Sequence, residues 1–192
     1  MQATSRNVQA EVDSIFVNRW SPRSYLPTAI PENKLNSLFE AARWAPSCYN
    51  EQPWLIRYVQ QGSGPHEQAA QVLVEGNRVW AEKAPVIGVI FSRRNFRHNG
   101  KPNSYHGYDT GAAAYAIALQ ASMLGLGTHF MGGFDPALAY QVFGIDEAEY
   151  QAQAAFVVGE PGPSNALPEG YAQKEAPSDR LDLSEIAQEV TA

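Results

Sequence analysis

The chain has 192 residues, of which 44% are apolar, 18% charged and 11% aromatic, the composition and length of one soluble globular domain. Fourteen Lys and Arg against twenty Asp and Glu leave a net charge of −6, so the basic excess of a global nucleic-acid footprint is missing. A single cysteine excludes an intrachain disulfide and a multi-cysteine metal site. No run approaches about eighteen uninterrupted apolar residues, which excludes a membrane-spanning helix. Polar and acidic groups occupy the first residues where a secretion signal would be apolar, so a cytoplasmic protein is expected, with residues 1–10 as a flexible N-terminus.

Val8, Val12, Ile15 and Phe16 recur at helical spacing and predict a first helix over 8–18. After the turn Trp20-Ser21-Pro22 a second helix starts at Pro31, because the amide hydrogen that proline lacks would have no intrahelical partner there. Leu35, Leu38, Phe39 and Ala42 form its apolar stripe, and Pro46 ends it. Residues 54–60 read as a strand. Residues 85–92 read as a strand buried on both faces, since Val86, Ile87, Val89, Ile90 and Phe91 make a nearly continuous apolar run. Between them, 67–83 looks helical with a break near Gly76.

The clearest helix spans 109–124, with Asp109 as its cap and Gly125 and Gly127 closing it. Its many alanines permit close backbone approach by another helix or a subunit. A further helix opens at Asp135-Pro136 and ends before Gly144. Residues 154–159 form a third strand candidate, and 160–179, rich in Pro and Gly, reads as irregular. Helices and strands mix without a βαβ rhythm, which places the chain in the α+β class.

Several familiar chemistries lack their motifs. Gly125-Leu126-Gly127 begins like a dinucleotide fingerprint, but Phe130 stands at the third glycine position and the segment follows a helix rather than a strand. There is no Walker A sequence and no Gly-x-Ser-x-Gly. His66, His98, His106 and His129 form no His-x-x-x-His pair and are expected on surfaces or loops, with no metal site. Cys48 has no identifiable activating partner and reads as a small residue in a tight loop.

Three segments do carry chemistry. Arg19-Trp20-Ser21-Pro22-Arg23 places two guanidiniums and a hydroxyl on one turn, where they can converge on an oxyanion or equally form a solvated basic turn. In the segment from Ala45 to Trp54, two prolines bracket Ser47, Asn50 and Gln52 beside an aromatic ring, a rigid polar surface for a flat heteroaromatic ligand or an ordinary helix-to-strand connection. In the segment from Gly127 to Asp135, Gly132-Gly133 lets bare backbone approach a ligand, or forms a flexible turn feeding the Asp135 cap. Residues 92–108 carry Arg93, Arg94, Arg97 and Lys101 with no acidic residue, as a mobile lid or as a solvated loop.

Taken in order, Arg-x-Ser-x-Arg, Ala-Pro-Ser-x-x-Asn-x-Gln-Pro-Trp and Gly-Leu-Gly-Thr…Gly-Gly-Phe-Asp make the chain resemble the FMN-dependent nitroreductase family from about Val12 onward. Asn77 with Trp80 ahead of Ala84-Pro85, and the late Asp179-Arg180-Leu181, add to the likeness. The resemblance implies an α+β fold with a central, mostly antiparallel sheet flanked by helices, and a homodimer with FMN at its interface. It implies hydride transfer from NAD(P)H through the flavin to an electron-poor organic acceptor such as a nitroaromatic or quinone, by ping-pong turnover. Other outcomes on the same scaffold are an FMN carrier or sensor without turnover, or a flavin oxidase or dehalogenase.

By the same resemblance, Arg19, Ser21 and Arg180 contact the phosphate and ribityl chain, and Trp20 lies on the same turn. Arg23 and Asn77 meet the pyrimidine edge. Trp80 stands where many relatives carry a lysine, and Ser178 where they often carry a basic ligand. Pro46, Ser47, Cys48 and Asn50 come from the second subunit, and Met131, Gly132 and Gly133 present backbone to the reactive side. No protein side chain is required as a nucleophile, because the flavin carries the chemistry. Nucleic acid and membrane are not expected partners.

Overall fold

The structure is a computed structural model that describes residues 6–191. Its centre is a four-stranded sheet built from β1 (Trp54–Gln60), β2 (Val86–Arg93), β3 (Gly127–Met131) and β4 (Tyr150–Gly159). The strand order is β1-β2-β4-β3 and every neighbouring pair is antiparallel. The apolar run in β2 explains its central place, since a strand covered on both faces cannot alternate with polar residues.

Side chains that alternate along β2 feed two apolar layers. Ile87, Val89 and Phe91 join Trp80, Met131, Ala139 and Ala155 on one face. On the other, Val86 packs with Leu35, Leu38, Ile117, Ala121 and Phe156. The first layer is covered by α3 (His66–Gln71), α4 (Glu75–Ala81) and α6 (Pro136–Phe143), and the second by α2 (Glu32–Arg43) and α5 (His106–Met123). The apolar stripe of α2 is buried as its spacing predicts, with Leu35, Leu38 and Ala42 fully covered. Asp135 accepts from the Leu138 amide at 3.1 Å, and Gly144 closes α6 with φ +63°, again as the sequence predicts.

Other boundaries move for physical reasons. The first helix is short, α1 (Ser14–Asn18), because Asp13 caps it by accepting from the Ile15 amide at 2.9 Å. Val8 and Val12, ahead of the cap, remain half exposed. Helix α5 starts three residues before Asp109, which lies in its first turn and is buried. The break within 67–83 falls at 72–74, ahead of Gly76, where Val72 and Leu73 are buried and Leu73 bridges Phe134. Strand β4 begins four residues earlier than expected, at Tyr150.

Residues 127–131, for which the sequence alone predicts no strand, are strand β3, with Gly127 paired to Gly159 and Met131 to Ala155. His66 is buried with Nε2 3.1 Å from the Ala84 carbonyl, and His129 sits within β3, so neither is the surface or loop residue expected. The last helix is α7 (Leu183–Ile186). Among the described residues no helix is long and apolar enough to cross a membrane, and no group of three or more His, Cys, Asp or Glu is placed to hold a metal.

Candidate functional site

The turn after α1 is held by Tyr25, by strand β3 and by Glu175. The Pro22 carbonyl accepts from the Tyr25 hydroxyl at 2.7 Å and from His129 Nδ1 at 3.0 Å. A carbonyl can only accept, so the Nδ1 of His129 carries the proton. The Glu175 carboxylate accepts from the amides of Arg23 and Ser24 at 2.8 and 2.9 Å. Position 127 must be glycine, since a Cβ there would lie 2.3 Å from Pro22 Cγ. Strand β3 thereby presses directly on the turn at Pro22.

The result is a cavity of about 220 Å³. Arg19, Trp20, Ser21, Arg23 and Arg180 all line it, together with Arg6, His129, Lys174 and Ser178. No carboxylate is among the lining residues. Burial holds the Arg19 guanidinium below its ordinary pKa; the Tyr115 hydroxyl raises it and the positive Arg180 adds to the lowering. Burial likewise lowers the His129 pKa, opposed by its bond to Pro22 and assisted by Arg23. Among the described residues Arg23 alone of the four lining arginines has an ion-pair partner, Glu175 at 4.0 Å, and guanidiniums so concentrated form the donor set of an anion such as a phosphate. Arg6, His129 and Lys174 escaped sequence reasoning; the one available signal was that Arg6 is the only cation before Arg19.

A second group adjoins the first. Asn77, in α4, donates from Nδ2 to the Gly133 carbonyl at 2.9 Å, and a Cβ at Gly133 would lie 2.6 Å from that nitrogen. Met131 is buried at the end of β3, while Gly132 is exposed. Trp80 does not reach the surface, at 2% exposure; its Nε1 donates to the Gly76 carbonyl at 3.1 Å and its ring packs 4.8 Å from His129. It backs the cavity wall and joins this group to the cationic one.

The loop carrying Pro46, Ser47, Cys48 and Asn50 stands elsewhere, and none of the four lines the cationic cavity. Three of its non-glycine residues are left-handed, Tyr49 at φ +53°, Asn50 at +55° and Gln52 at +51°. Such backbone persists only where surrounding bonds over-determine it. The Cys48 amide donates to Asp109 Oδ2 at 3.0 Å, and the Gln52 amide to Ser47 Oγ at 3.0 Å. Arg97 donates from its amide to Glu51 Oε1 and from Nη1 to the Glu51 carbonyl, both at 2.7 Å. The basic segment 92–108 is therefore fastened to this loop, and an Asn95–Pro102 bridge closes its turn.

A larger groove of about 970 Å³ lies along α3 and α4. It is lined by Glu67, Glu75 and Glu82, and its Arg78 is already paired with Glu75. Its carboxylates would repel an anion, so the smaller cationic cavity is the candidate site.

Residues 17–160 match the model of the nitroreductase family. A Streptomyces coelicolor protein whose name reads NADH dehydrogenase/NAD(P)H nitroreductase is 30% identical over 65% of this chain and 70% of its own length. A crystal structure of an FMN-containing oxidoreductase superposes with a TM-score of 0.93 at 32% identity, covering 98% of this chain and 96% of the other. A nitroreductase from Desulfovibrio desulfuricans in complex with FMN has a TM-score of 0.74 over 93% of this chain and 96% of its own; at 24% identity it shows the shared fold alone. The chain belongs to the nitroreductase family.

Proposed function

We propose that this chain is an FMN-dependent oxidoreductase that works as a homodimer of single-domain subunits. The observation that carries the reading is the cavity on which Arg6, Arg19, Arg23, Lys174 and Arg180 converge with no carboxylate among its lining residues. The FMN-containing oxidoreductase that superposes over nearly the whole chain supports it. Bound FMN would take hydride from NAD(P)H and deliver it to an electron-poor organic acceptor, a nitroaromatic or a quinone.

The protein's own part is binding and orientation. Arg19, Ser21 and Arg180 hold the phosphate and ribityl end, with Trp20 on the same wall. Arg180 is itself aimed by its bonds to the carbonyls of Ser178 and Asp179 at 3.1 and 2.9 Å. Arg23 and Asn77 serve the pyrimidine edge, where a guanidinium stabilises developing negative charge. The Asn77 donor is committed to Gly133, which leaves its Oδ1 as an acceptor. Trp80 keeps His129 in place from behind. Pro46, Ser47, Cys48 and Asn50 complete the site from the second subunit, consistent with their standing apart from the cavity of their own chain.

The test begins with an absorbance spectrum of the purified protein and identification of what acid releases. A yellow protein that releases FMN and bleaches anaerobically with NADH or NADPH is expected. Steady-state lines at varied donor and acceptor should then be parallel. Flavin that neither nucleotide bleaches would instead indicate a carrier, and a protein unable to take up FMN would end the reading.

A further inference from the structure

Arg6 lies ahead of the segment that matches the family model and yet lines the cationic cavity with Arg19 and Arg180. Its Nη1 donates to the carbonyls of Val17 and Arg19, the second at 3.0 Å, so the end of α1 holds its guanidinium in place. Its Nε is buried and has no partner. A charged donor stripped of water and left without an acceptor is costly, and such groups mark places where a ligand completes the bonding.

The arm that carries Arg6 is tied down a second time. Gln9 Nε2 donates to Asp182 Oδ1, and the Leu183 amide donates to Gln9 Oε1 at 2.7 Å. This clasp joins the N-terminal arm to the C-terminal segment, and its effect is to deliver Arg6 and Arg180 to one cavity from opposite ends of the chain. Burial first, then the positive Arg180 and Arg19, lower the Arg6 pKa, and the nearby Asp179 only partly compensates. Like charges gathered by long-range bonds call for an anion among them.

We propose that Arg6 is a third guanidinium ligand for the phosphate monoester bound in this cavity, and that the N-terminal arm closes over that phosphate as a latch tied to the C-terminal segment. The proposal rests on the reading of the cavity as the phosphate end of an FMN site. It makes the arm a device for telling FMN from riboflavin, which has the same ring and ribityl chain but no phosphate.

The experiment is titration of flavin-free full-length protein with FMN and with riboflavin, followed by flavin fluorescence, for the wild type, Arg6→Ala and Arg6→Lys. Arg6→Ala should weaken FMN binding about tenfold or more, the scale of one bond to a charged group. Riboflavin affinity should not change. Arg6→Lys should recover part of the loss, since it keeps the charge and gives up the planar fork. Inorganic phosphate should raise the melting temperature of the flavin-free wild type more than that of Arg6→Ala.

Equal FMN affinity in wild type and Arg6→Ala would overturn the assignment. So would an equal loss for both flavins, which would make Arg6 a purely structural residue. The two readings fail separately. A wild type that binds neither flavin, yet is stabilised by phosphate through Arg6, would end the FMN reading and keep the phosphate ligand. A wild type that binds FMN without regard to Arg6 would do the reverse.

Discussion

At the scale of single residues, the cavity shows how a few fixed bonds aim flexible cations. The Arg19 backbone N–H donates to the Ile15 carbonyl at 3.2 Å, and its Nη1 donates to Ser21 Oγ at 3.5 Å. Arg19→Ala should therefore weaken FMN binding by about 1.5–3 kcal/mol, the range for a hydrogen bond to a charged partner. Unchanged affinity by equilibrium titration would remove Arg19 from the phosphate role. The Arg-x-Ser-x-Arg spacing made these residues legible in the sequence. Arg6 and Lys174 were not, because no short motif links residues brought to one wall by contacts between distant segments.

His129 illustrates the same limit and has a consequence in pH. Burial lowers its pKa in the fold, and burial followed by the charge of Arg94 lowers that of His106. An unfolded histidine titrates near an ordinary value of about 6.5, so the unfolded chain binds more protons than the folded one below that point. The stability these histidines contribute is thus fully present above about pH 6.5 and is lost as pH falls from there through their lower folded pKa values. The melting temperature should drop from about pH 7 to about pH 5, and the drop should be shallower in His129→Gln. An identical slope in that variant would assign the acid sensitivity to other groups.

At the scale of elements, β2 and β4 are the most demanding pair. Gly88 faces Phe156 in register, and a Cβ there would lie 2.5 Å from Phe156 Cζ and 2.6 Å from the Arg57 carbonyl. The second neighbour is backbone and cannot swing aside. Gly88→Ala should cost about 1–3 kcal/mol in urea unfolding, the usual scale of overpacking, whereas a loss near zero would show that the sheet spreads easily. Helix α6 and strand β1 were legible because local chemistry specifies them, a cap and closing glycine in one case and an apolar run after Pro53 in the other. Strand β3 was not. Its five residues begin with a glycine and carry Thr128 and His129, and what makes it a strand is pairing with β4, some thirty residues away in sequence.

At the scale of the whole molecule, the candidate site is assembled from both ends of the chain and from the edge strand β3. The turn after α1, the end of β3, the start of α4 and the segment near Arg180 converge around Trp80 and His129. The loop of Pro46, Ser47, Cys48 and Asn50 stays apart, pinned to α5 by Asp109 and to the basic segment by Glu51 and Arg97. In the proposed dimer that separation is what allows one subunit to finish the site of the other.

The order of apolar and polar residues by itself determined the fold class, the buried central strand, the apolar face of α2 and the capped helix α6, because each depends on interactions within a few residues. The three short segments also marked the family. Tertiary structure alone decided that 127–131 is a strand, that Trp80 lies beneath the cavity wall, and that Arg6 and Lys174 join Arg19 and Arg180 around one cationic space. Those outcomes depend on contacts between residues far apart in the chain, and local periodicity carries no record of them.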